Sequence, residues 1–585
     1  MTDSTDIKWN FSSYTDKKGR TYIISYYNKW DSVKKQSRVA KRIHVGRLNT
    51  DNGKVSLGKN YLEQHPEYID CSVFYEDNRL VVRSDEEALS IQRDADADID
   101  LSWRCDCISF GLTYSLWEMA KRYGIISSLK AAFGEDGIEL LRLGIYELCS
   151  HAMAMHNYED WLSMYYLPDA QPLSSQKISR LLATVTQEKI DNYFKLRHSR
   201  LTELHQQRKE YAHKKGQYVP PMMMAMDSTS ISTYSKSIDD AAFGHAKQDD
   251  FLKQVNLTLC VDYESGDVCY AYESEGSVND MTIFPDIIMR MRNIGMDLSD
   301  ILVVTDRGYS SVMNIQKQIN VQIKFLTGVK LTEDAVKAKI DRYKESLSNP
   351  VFMNGALGVY ARTGEVEKWS TTCDGYTIDH DVYLHLYHSG TLGEQENVNF
   401  MRDVQRLLDI QNNKLKIDRN LWQRYSKYLE QDKKTKTWYL KADAVEKACR
   451  YNGYFALRTN EISNPFDALV IYRERNIVEV AFKQFKVLNG GERLYATGST
   501  YKGKIFIHLL AQTLRMMMCV SAAGHKADGK VLPGESLEKA MIQLKKLQVT
   551  RAPGRGTYIT KEIPKKTRDL FDLFGIPYPK KQIKN

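Results

Sequence analysis

Asn464–Asn489, NPFDALVIYRERNIVEVAFKQFKVLN, is the stretch from which the rest of the chain is read. Within it Tyr472, Arg475, Glu479 and Lys486 are spaced i, i+3, i+7 and i+14. At about 100° per residue they fall at roughly 0°, 300°, 340° and 320° around a helix axis, a single face about 60° wide. Ile471, Val478, Phe482 and Phe485 make an apolar stripe centred roughly 80° away, the side that a helix buries when it lies on a sheet. The polar face therefore belongs at the rim of a core. Asn464 before Pro465 suits an N-cap and first-turn proline, and Asn489-Gly490-Gly491 suits a C-terminal stop. One helix is predicted over the whole stretch.

A face that sets one carboxylate among a phenol, a guanidinium and an ammonium has two readings. It can be a solvated surface with i,i+4 ion pairs. It can also be a site in which Glu479 holds a metal while Arg475, Lys486 and Tyr472 grip phosphate oxygens, since Arg and Lys complement phosphate and Tyr donates one hydrogen bond. What weighs between them lies upstream. From Pro220 the pattern turns to strands: Met222–Met226 is an apolar run ending in Asp227, followed by a turn region. Val255–Tyr263 and Val268–Glu273 read as a hairpin around Glu264-Ser265-Gly266-Asp267. Asn279–Ile294 shows helical spacing, Ile301–Thr305 is an apolar strand ending in Asp306, Ser310–Ile319 reads as a helix and Val321–Leu326 as a strand. The order β-β-β-α-β-α-β, with an Asp ending the first and fourth strands, is that of an α/β, RNase H-like core with a mixed sheet. In that fold the two strands are neighbours, so Asp227 and Asp306 are expected side by side. About 170 residues separate Asp306 from Glu479, which implies an inserted domain.

The pattern Tyr472-x2-Arg475-x3-Glu479-x6-Lys486 resembles the signature of the large bacterial insertion-sequence transposases of the DDE type, the Y-R-E-K superfamily. Met226-Asp227-Ser228-Thr229, Val304-Thr305-Asp306-Arg307-Gly308-Tyr309 and Gly453-Tyr454-Phe455-Ala456-Leu457-Arg458-Thr459-Asn460 are similar to that superfamily too, in the same order. The resemblance covers about Pro220 to Arg515, and Arg493–Lys504 is only loosely alike. It implies a largely β insertion. It also implies hairpinned transposon ends in some members, with a base flipped onto an aromatic ring; on that route Trp369, Trp422 and Trp438 are the candidate platforms, against ordinary burial of the same rings.

Three carboxylates converging on one spot repel one another, and divalent metal resolves the conflict. Two Mg²⁺ ions, with Mn²⁺ as a substitute, would be held by Asp227, Asp306 and Glu479, Asp227 bridging, and would activate water or a 3′-hydroxyl against a phosphodiester. Arg475 and Lys486 are then expected on flanking phosphates and Tyr472 on a terminal one. The reading is a cut-and-paste DDE transposase, an endonuclease and strand-transfer enzyme. It would act on double-stranded DNA, both element ends and target, as a homodimer in its synaptic complex. An RNase H-like nuclease or resolvase without strand transfer, or a DNA-binding regulator without catalysis, are the alternatives.

Composition bounds the rest. At 585 residues the chain is multidomain. Residues 1–60 carry 13 Lys+Arg against 5 Asp+Glu, and residues 541–585 carry 11 against 3. Basic ends flanking an acidic middle suit a polyanion at the ends and carboxylates for metal between them, or simply solubilising tails. Nine Cys without a C-x2-C pair read as reduced core thiols. No run of about 18 apolar residues and no signal peptide are seen, so a cytoplasmic, nucleoid-associated bacterial protein without a membrane partner is expected.

The expected divisions are 1–80, a β-rich module whose Lys34, Lys35, Lys41, Arg42 and Arg47 lie among aromatics as if to contact DNA; 81–107, an acidic linker; and 108–215, a helical DNA-binding or dimerisation domain with helices at Thr113–Tyr123, Ile138–Asn157 and Ser175–Leu204. They continue with 216–330, the first part of the core; 331–455, the insertion; 456–525, the second part with the catalytic helix; and 526–585, a basic tail. Asp94–Cys105 lacks the Gly and Glu of a calcium loop. His380, His385 and His388 read as core or surface histidines ahead of metal ligands.

Overall fold

The computed structural model of the chain describes residues 8–17, 19–50, 53–84, 87, 106–151, 153–244, 251–373, 376–416, 418–488, 491–525, 529–552, 556–559 and 561–583. They fall in two compact units, one of Met1–Cys107, Val549–Thr560 and Lys580–Lys584, the other of Ile108–Gln548, Lys561–Pro579 and Asn585.

In the first unit β1 (Asn10–Thr15), β2 (Thr21–Asp31), β3 (Gln36–Leu48) and β4 (Val55–Leu57) form an antiparallel sheet in that order. Ile23, Val45, Val55 and Tyr61 are its core. A hairpin of β5 (Ser72–Glu76) and β6 (Arg79–Arg83) follows. The expected acidic linker is shorter than its span, since β6 runs to Arg83 and β7 (Asp106–Ser109) begins within it. Residues 88–105, with the rejected calcium loop and Cys105, lie outside the described residues.

The second unit opens with six helices: Gly111–Arg122, Ile125–Phe133, Asp136–Ser150, Tyr158–Met164, Ser175–Ala183 and Gln187–His213. Two expected helices are divided. Ile138–Asn157 ends at Ser150 because His151 turns left-handed, at φ 54°. Ser175–Leu204 is interrupted because Thr186 caps a new start, its side chain accepting from Lys189 N.

The central mixed sheet runs β10 (Val268–Glu275), β9 (Lys253–Asp262), β8 (Met222–Thr233), β11 (Ile301–Thr305), β12 (Lys324–Val329), β18 (Tyr454–Thr459), β15 (Tyr376–His388), β14 (Val359–Cys373) and β13 (Met353–Asn354), with β19 (Arg493–Leu494) also on β8. β8, β11 and β12 are parallel neighbours, while β9 and β10 fold back antiparallel. Helices Asp280–Asn293 and Val312–Asn320 connect the parallel strands. Met222–Met226 and Ile301–Thr305 are buried throughout, as unbroken apolar runs are when both faces of a sheet are covered.

Three expectations are corrected. The run after Asp227 is no turn: β8 continues to Thr233, because Ser228–Thr233 pairs residue for residue with β9, Thr258 back to Lys253. Residues 331–455 are not largely β, since helices Gly390–Asn412, Arg419–Tyr425 and Ala442–Cys449 accompany the strands, with only β16 (Leu429–Gln431) and β17 (Trp438–Leu440) beside them. Val404 and Leu407, three apart, bury one side of the first of these helices. The β14–β15 hairpin is itself part of the central sheet through β18. Finally, 526–585 is no tail: helix Leu537–Lys545 buries Ala540, Met541 and Leu544, and Lys565–Phe574 buries Leu570, Phe571 and Phe574. Helix Tyr501–Gly524 is long and apolar enough to cross a membrane by length and composition, and 83% of its most apolar window is buried inside the protein, as in a core helix. Cys149, Cys260 and Cys269 are buried, whereas Cys71 and Cys107 are exposed, contrary to a uniform set of core thiols.

Candidate active site

Asp227 is the sixth of the twelve residues of β8, not its last. β11 pairs with β8 in parallel from Ile301↔Met222 to Thr305↔Met226. Asp306 and Asp227 thus hold the next position on neighbouring strands. There β11 ends: Asp306, still extended at φ −78° and ψ 176°, caps the short turn Arg307–Tyr309, its Oδ1 accepting from Gly308 N at 2.6 Å. Thr305 Oγ1 donates to Thr327 Oγ1 at 2.8 Å, which fastens the end of β11 to β12.

Glu479 arrives from the far side of the insertion. Asn464 caps as expected, accepting from Phe466 N and Asp467 N, with Pro465 in the first turn. The single straight helix is a correction, however. It is built as Pro465–Glu474, Asn476–Lys483 and a π-helical turn, Gln484–Leu488. At the joint Arg475 N donates to Tyr472 O and Val478 N to Arg475 O, three-residue spacings that tighten the backbone, and the π turn then widens it. Even 100° steps therefore do not carry through to Lys486. The apolar stripe holds: Val478, Phe482 and Phe485 are buried, and Ile471 packs on the cluster of Leu302, Val304 and Leu457.

Arg475 ties these parts together. One terminal nitrogen lies 3.7 Å from Asp227 Oδ2 and the other donates to Glu479 Oε1 at 2.5 Å. The Arg475 side chain is 14% exposed, Asp227 19% and Glu479 51%. Burial opposes the charge on Arg475, but Tyr472, Glu479 and Asp227 outweigh it, so the guanidinium is held above its ordinary range. Its Nε is buried with no hydrogen-bond partner among the described residues. Arg475 also lies over the Tyr472 ring, 5.6 Å from the centroid. Burial, reinforced by the Asp306 charge, raises the Tyr472 phenol above its usual value, so it stands as a neutral donor. That phenol fits only because β12 carries glycine at 328: a Cβ there would lie 2.5 Å from Tyr472 Oη and 3.1 Å from Arg307 N. Lys486 falls in the π turn, half-exposed.

Beside Asp306, Tyr472 and Arg475 opens a cavity of about 1100 Å³ whose wall includes Arg307, Lys337, Lys447, Arg450 and Arg473. Arg473 donates to Leu357 O at 3.3 Å, and Arg450 pairs with Asp341 at 3.0 Å. Sequence reading missed this wall, in which Asp334 and Glu396 stand among the cations. Arg307 next to Asp306 and Arg473 two residues before Arg475 were its visible signal, but Lys337, Lys447 and Arg450 come from elements with no spacing relation to the motif.

Trp369, Trp422 and Trp438 are half-buried and take part in local packing. Trp369 joins a cluster with Ile315, Phe325 and Val382, its Nε1 donating to Glu367 Oε2 at 3.1 Å. Trp422 and Trp438 meet edge to face at 5.7 Å in the cluster around Val404, Leu407 and Leu429. His385 is buried between Thr363 Oγ1 and Ile462 O, His380 meets Thr371 Oγ1, and His388 meets Leu347 O and stacks on Tyr454.

As they lie, no three His, Cys, Asp or Glu side chains among the described residues enclose a metal ion. The donor set nevertheless fits Mg²⁺. Its oxygens are hard and anionic, Asp227 and Asp306 are strand neighbours, and two of the three carboxylates converge on a cation already, the guanidinium of Arg475.

No curated protein sequence matches the chain. Among solved structures, the chain is similar to a chain in a cryo-EM structure of the piggyBac transposase synaptic complex with hairpin DNA, at 8% identity and a TM-score of 0.30, covering 78% of this chain and 70% of that one. Residues 220–514, half of the chain, match the family model described as the transposase DDE domain; they hold Asp227, Asp306, Arg475 and Glu479, and the chain belongs to that transposase family.

Proposed function

We propose that this transposase cuts the DNA at the ends of a bacterial insertion sequence and joins the freed 3′-hydroxyls to target DNA, working as a homodimer that holds two ends at once. The observation that carries the reading is the one guanidinium shared by Asp227 and Glu479, one strand away from Asp306 in register. The strand order β10-β9-β8-β11-β12 supports an RNase H-like core, in which that corner is the reacting centre. Asp227, Asp306 and Glu479 would hold two Mg²⁺ ions, with Mn²⁺ as a substitute. Bound there, the ions would sharpen the attacking water or 3′-hydroxyl and stabilise the leaving oxygen of the phosphodiester.

The chain's own residues do the rest. Arg475, with donors in a rigid fork, exchanges its carboxylates for phosphate oxygens as DNA enters. Tyr472, neutral and seated over Gly328, donates one hydrogen bond to a terminal phosphate. Lys486 acts as a point charge on a flanking one. Trp369, Trp422 and Trp438, each half-buried, stay the candidate base platforms of a hairpin route.

Asp227→Asn is expected to abolish Mg²⁺-dependent nicking of a duplex that carries the DNA flanking the coding region, while leaving the affinity for that duplex within about twofold. Equal loss of nicking and binding refutes the assignment. Joined products in the same assay with the unaltered chain separate a transposase from a nuclease that only cuts.

A further inference from the structure

The N-terminal sheet carries a hairpin its own core does not need. From Asn28 to Arg42 every residue is exposed except Asp31, which is half-buried; the buried residues Ile23, Ile24, Ser25 and Val45 lie nearer its base. The projecting part holds six cations, Lys29, Lys34, Lys35, Arg38, Lys41 and Arg42, against the single acid Asp31. Lys29 stands directly opposite Arg38 across the two strands, and Tyr26 and Tyr27 stand opposite Arg42 and Lys41. Like charges set opposite one another on a ribbon destabilise it, and a ribbon without burial has little to offset that cost.

The tip is closed by side-chain contacts all the same. Asp31 Oδ1 accepts from Val33 N and Lys34 N, both at 3.0 Å, and Asp31 pairs with Arg38 at 3.9 Å. Next to it Trp30 is 69% exposed. A pre-shaped, cation-edged ribbon with an apolar ring at its end is complementary to a polyanion with an apolar interior.

We propose that the Tyr26–Arg42 hairpin is an arm that lies in the major groove of duplex DNA, its cations on the phosphates of both edges and Trp30 against the base edges. The paired stretch spans five residue steps, about 17 Å, and a two-stranded ribbon fits a groove about 12 Å wide. The arm gives the enzyme a grip on duplex separate from the reacting centre. It rests on the reading of the chain as an enzyme acting on DNA.

The test uses the full chain with Lys29, Lys34, Arg38 and Lys41 all changed to Ser, titrated across a range of salt with a fluorescent mixed-sequence duplex and with a single strand of equal length. Every phosphate that the protein ceases to neutralise lowers the steepness of log affinity against log salt by about 0.9 on duplex and about 0.7 on single strand, so a fall of about 2–4 is expected for the duplex and one of less than about half that for the single strand. An unchanged duplex slope overturns the proposal, and so does a single-strand fall of about four-fifths of the duplex fall or more, about the ratio of 0.7 to 0.9 that a diffuse charge effect gives. A second variant, Lys29→Glu, turns the like-charged pair with Arg38 into an opposite-charged one. It is expected to keep or raise the unfolding midpoint while weakening duplex binding several-fold; loss of both together overturns the arm. Failure of the unaltered chain to nick DNA would sink the active-site reading and leave the salt slopes untouched, whereas flat slopes with intact nicking would sink only the arm.

Discussion

Gly328→Ala tests whether the Tyr472 phenol is held where the site needs it. The new Cβ would fall 2.5 Å from Tyr472 Oη and 3.3 Å from its Cζ, with Arg307 N at 3.1 Å behind it. Carbon and oxygen pack no closer than about 3.3 Å outside a hydrogen bond, so the phenol must retreat by nearly 1 Å. Its ring is packed on the cluster of Val304, Leu326 and Ala468, so the retreat is resisted at about 1–3 kcal/mol, the usual cost of overpacking. In a unit as large as Ile108–Gln548 with Lys561–Pro579, where the unfolding entropy is about 2.1 cal/mol/K per residue, that lowers the unfolding midpoint by only about 1 °C per kcal/mol. Displacement near 1 Å at a positioning group costs about a hundredfold in rate, so nicking should fall by that order with DNA affinity nearly unchanged. Tyr472→Phe removes the clashing oxygen. In that background Gly328→Ala should cost under about 1 kcal/mol, a strong departure from additivity between touching residues. If it destabilises the Phe background as much as the parent, the clash is with backbone alone, and the claim that this glycine exists for the phenol is wrong.

Two further predictions concern buried charges. Burial pushes the Asp262 carboxyl up to about 6 against the hydrogen bonds from Ser265 N and Oγ. A raised acid holds its proton more tightly folded than unfolded, so stability should fall as pH rises from about 4 to about 6 and stay lower above it. Asp262→Asn should flatten that segment of a denaturation-versus-pH curve and stabilise the neutral protein by up to about 3 kcal/mol, about two pKa units' worth, less what the weaker acceptor loses; an unchanged curve refutes it. Asp267 and Arg197 form a pair with side chains 0% and 1% exposed, Arg197 Nε donating at 2.9 Å. Asp267→Asn strands the guanidinium without a counterion and should cost about 3–5 kcal/mol, while replacing both by apolar residues should recover most of it, read from urea midpoints of the two variants.

How far the chain could be read depended on whether local pattern or distant partners decided each element. Ile301–Thr305 was legible to the residue, because an all-apolar run of that length bounded by Asp306 admits little else. Asn464-Pro465 marked a helix start for equally local reasons. Ser228–Thr233 was not legible. Its hydroxyls carry no alternation, and their burial, Thr229 at 4% and Thr233 at 2% exposure, comes from pairing with β9 and packing across the sheet. The joint at Arg475 left no mark either, since Glu474, Arg475 and Asn476 are compatible with unbroken helix. The C-terminal stretch misled through charge: its lysines are real, but Leu570, Phe571 and Phe574 recur beneath them at helical spacing.

The sheet itself explains why the candidate site lies where it does. β11 accompanies β8 only as far as Met226, and β19 joins the same strand only from Ser232; the helix carrying Glu479 also packs onto β8. Asp227 sits at the opening of the interval between those two partners, where Arg475 reaches it from the start of that helix. An i,i+4 contact between Arg475 and Glu479 would form on any exposed helix and contribute little. What the interval adds is a second carboxylate on the same guanidinium and a third, Asp306, one strand over. Within this set of four side chains one cation serves three acids, a formal deficit that the cations of the neighbouring wall, Arg307 nearest in sequence, offset from outside it. A phosphodiester entering such a corner brings still more negative charge. On the proposed reading, the arrangement is therefore sustainable without DNA and insufficient with it, which is the condition under which divalent cations would be taken up together with the substrate.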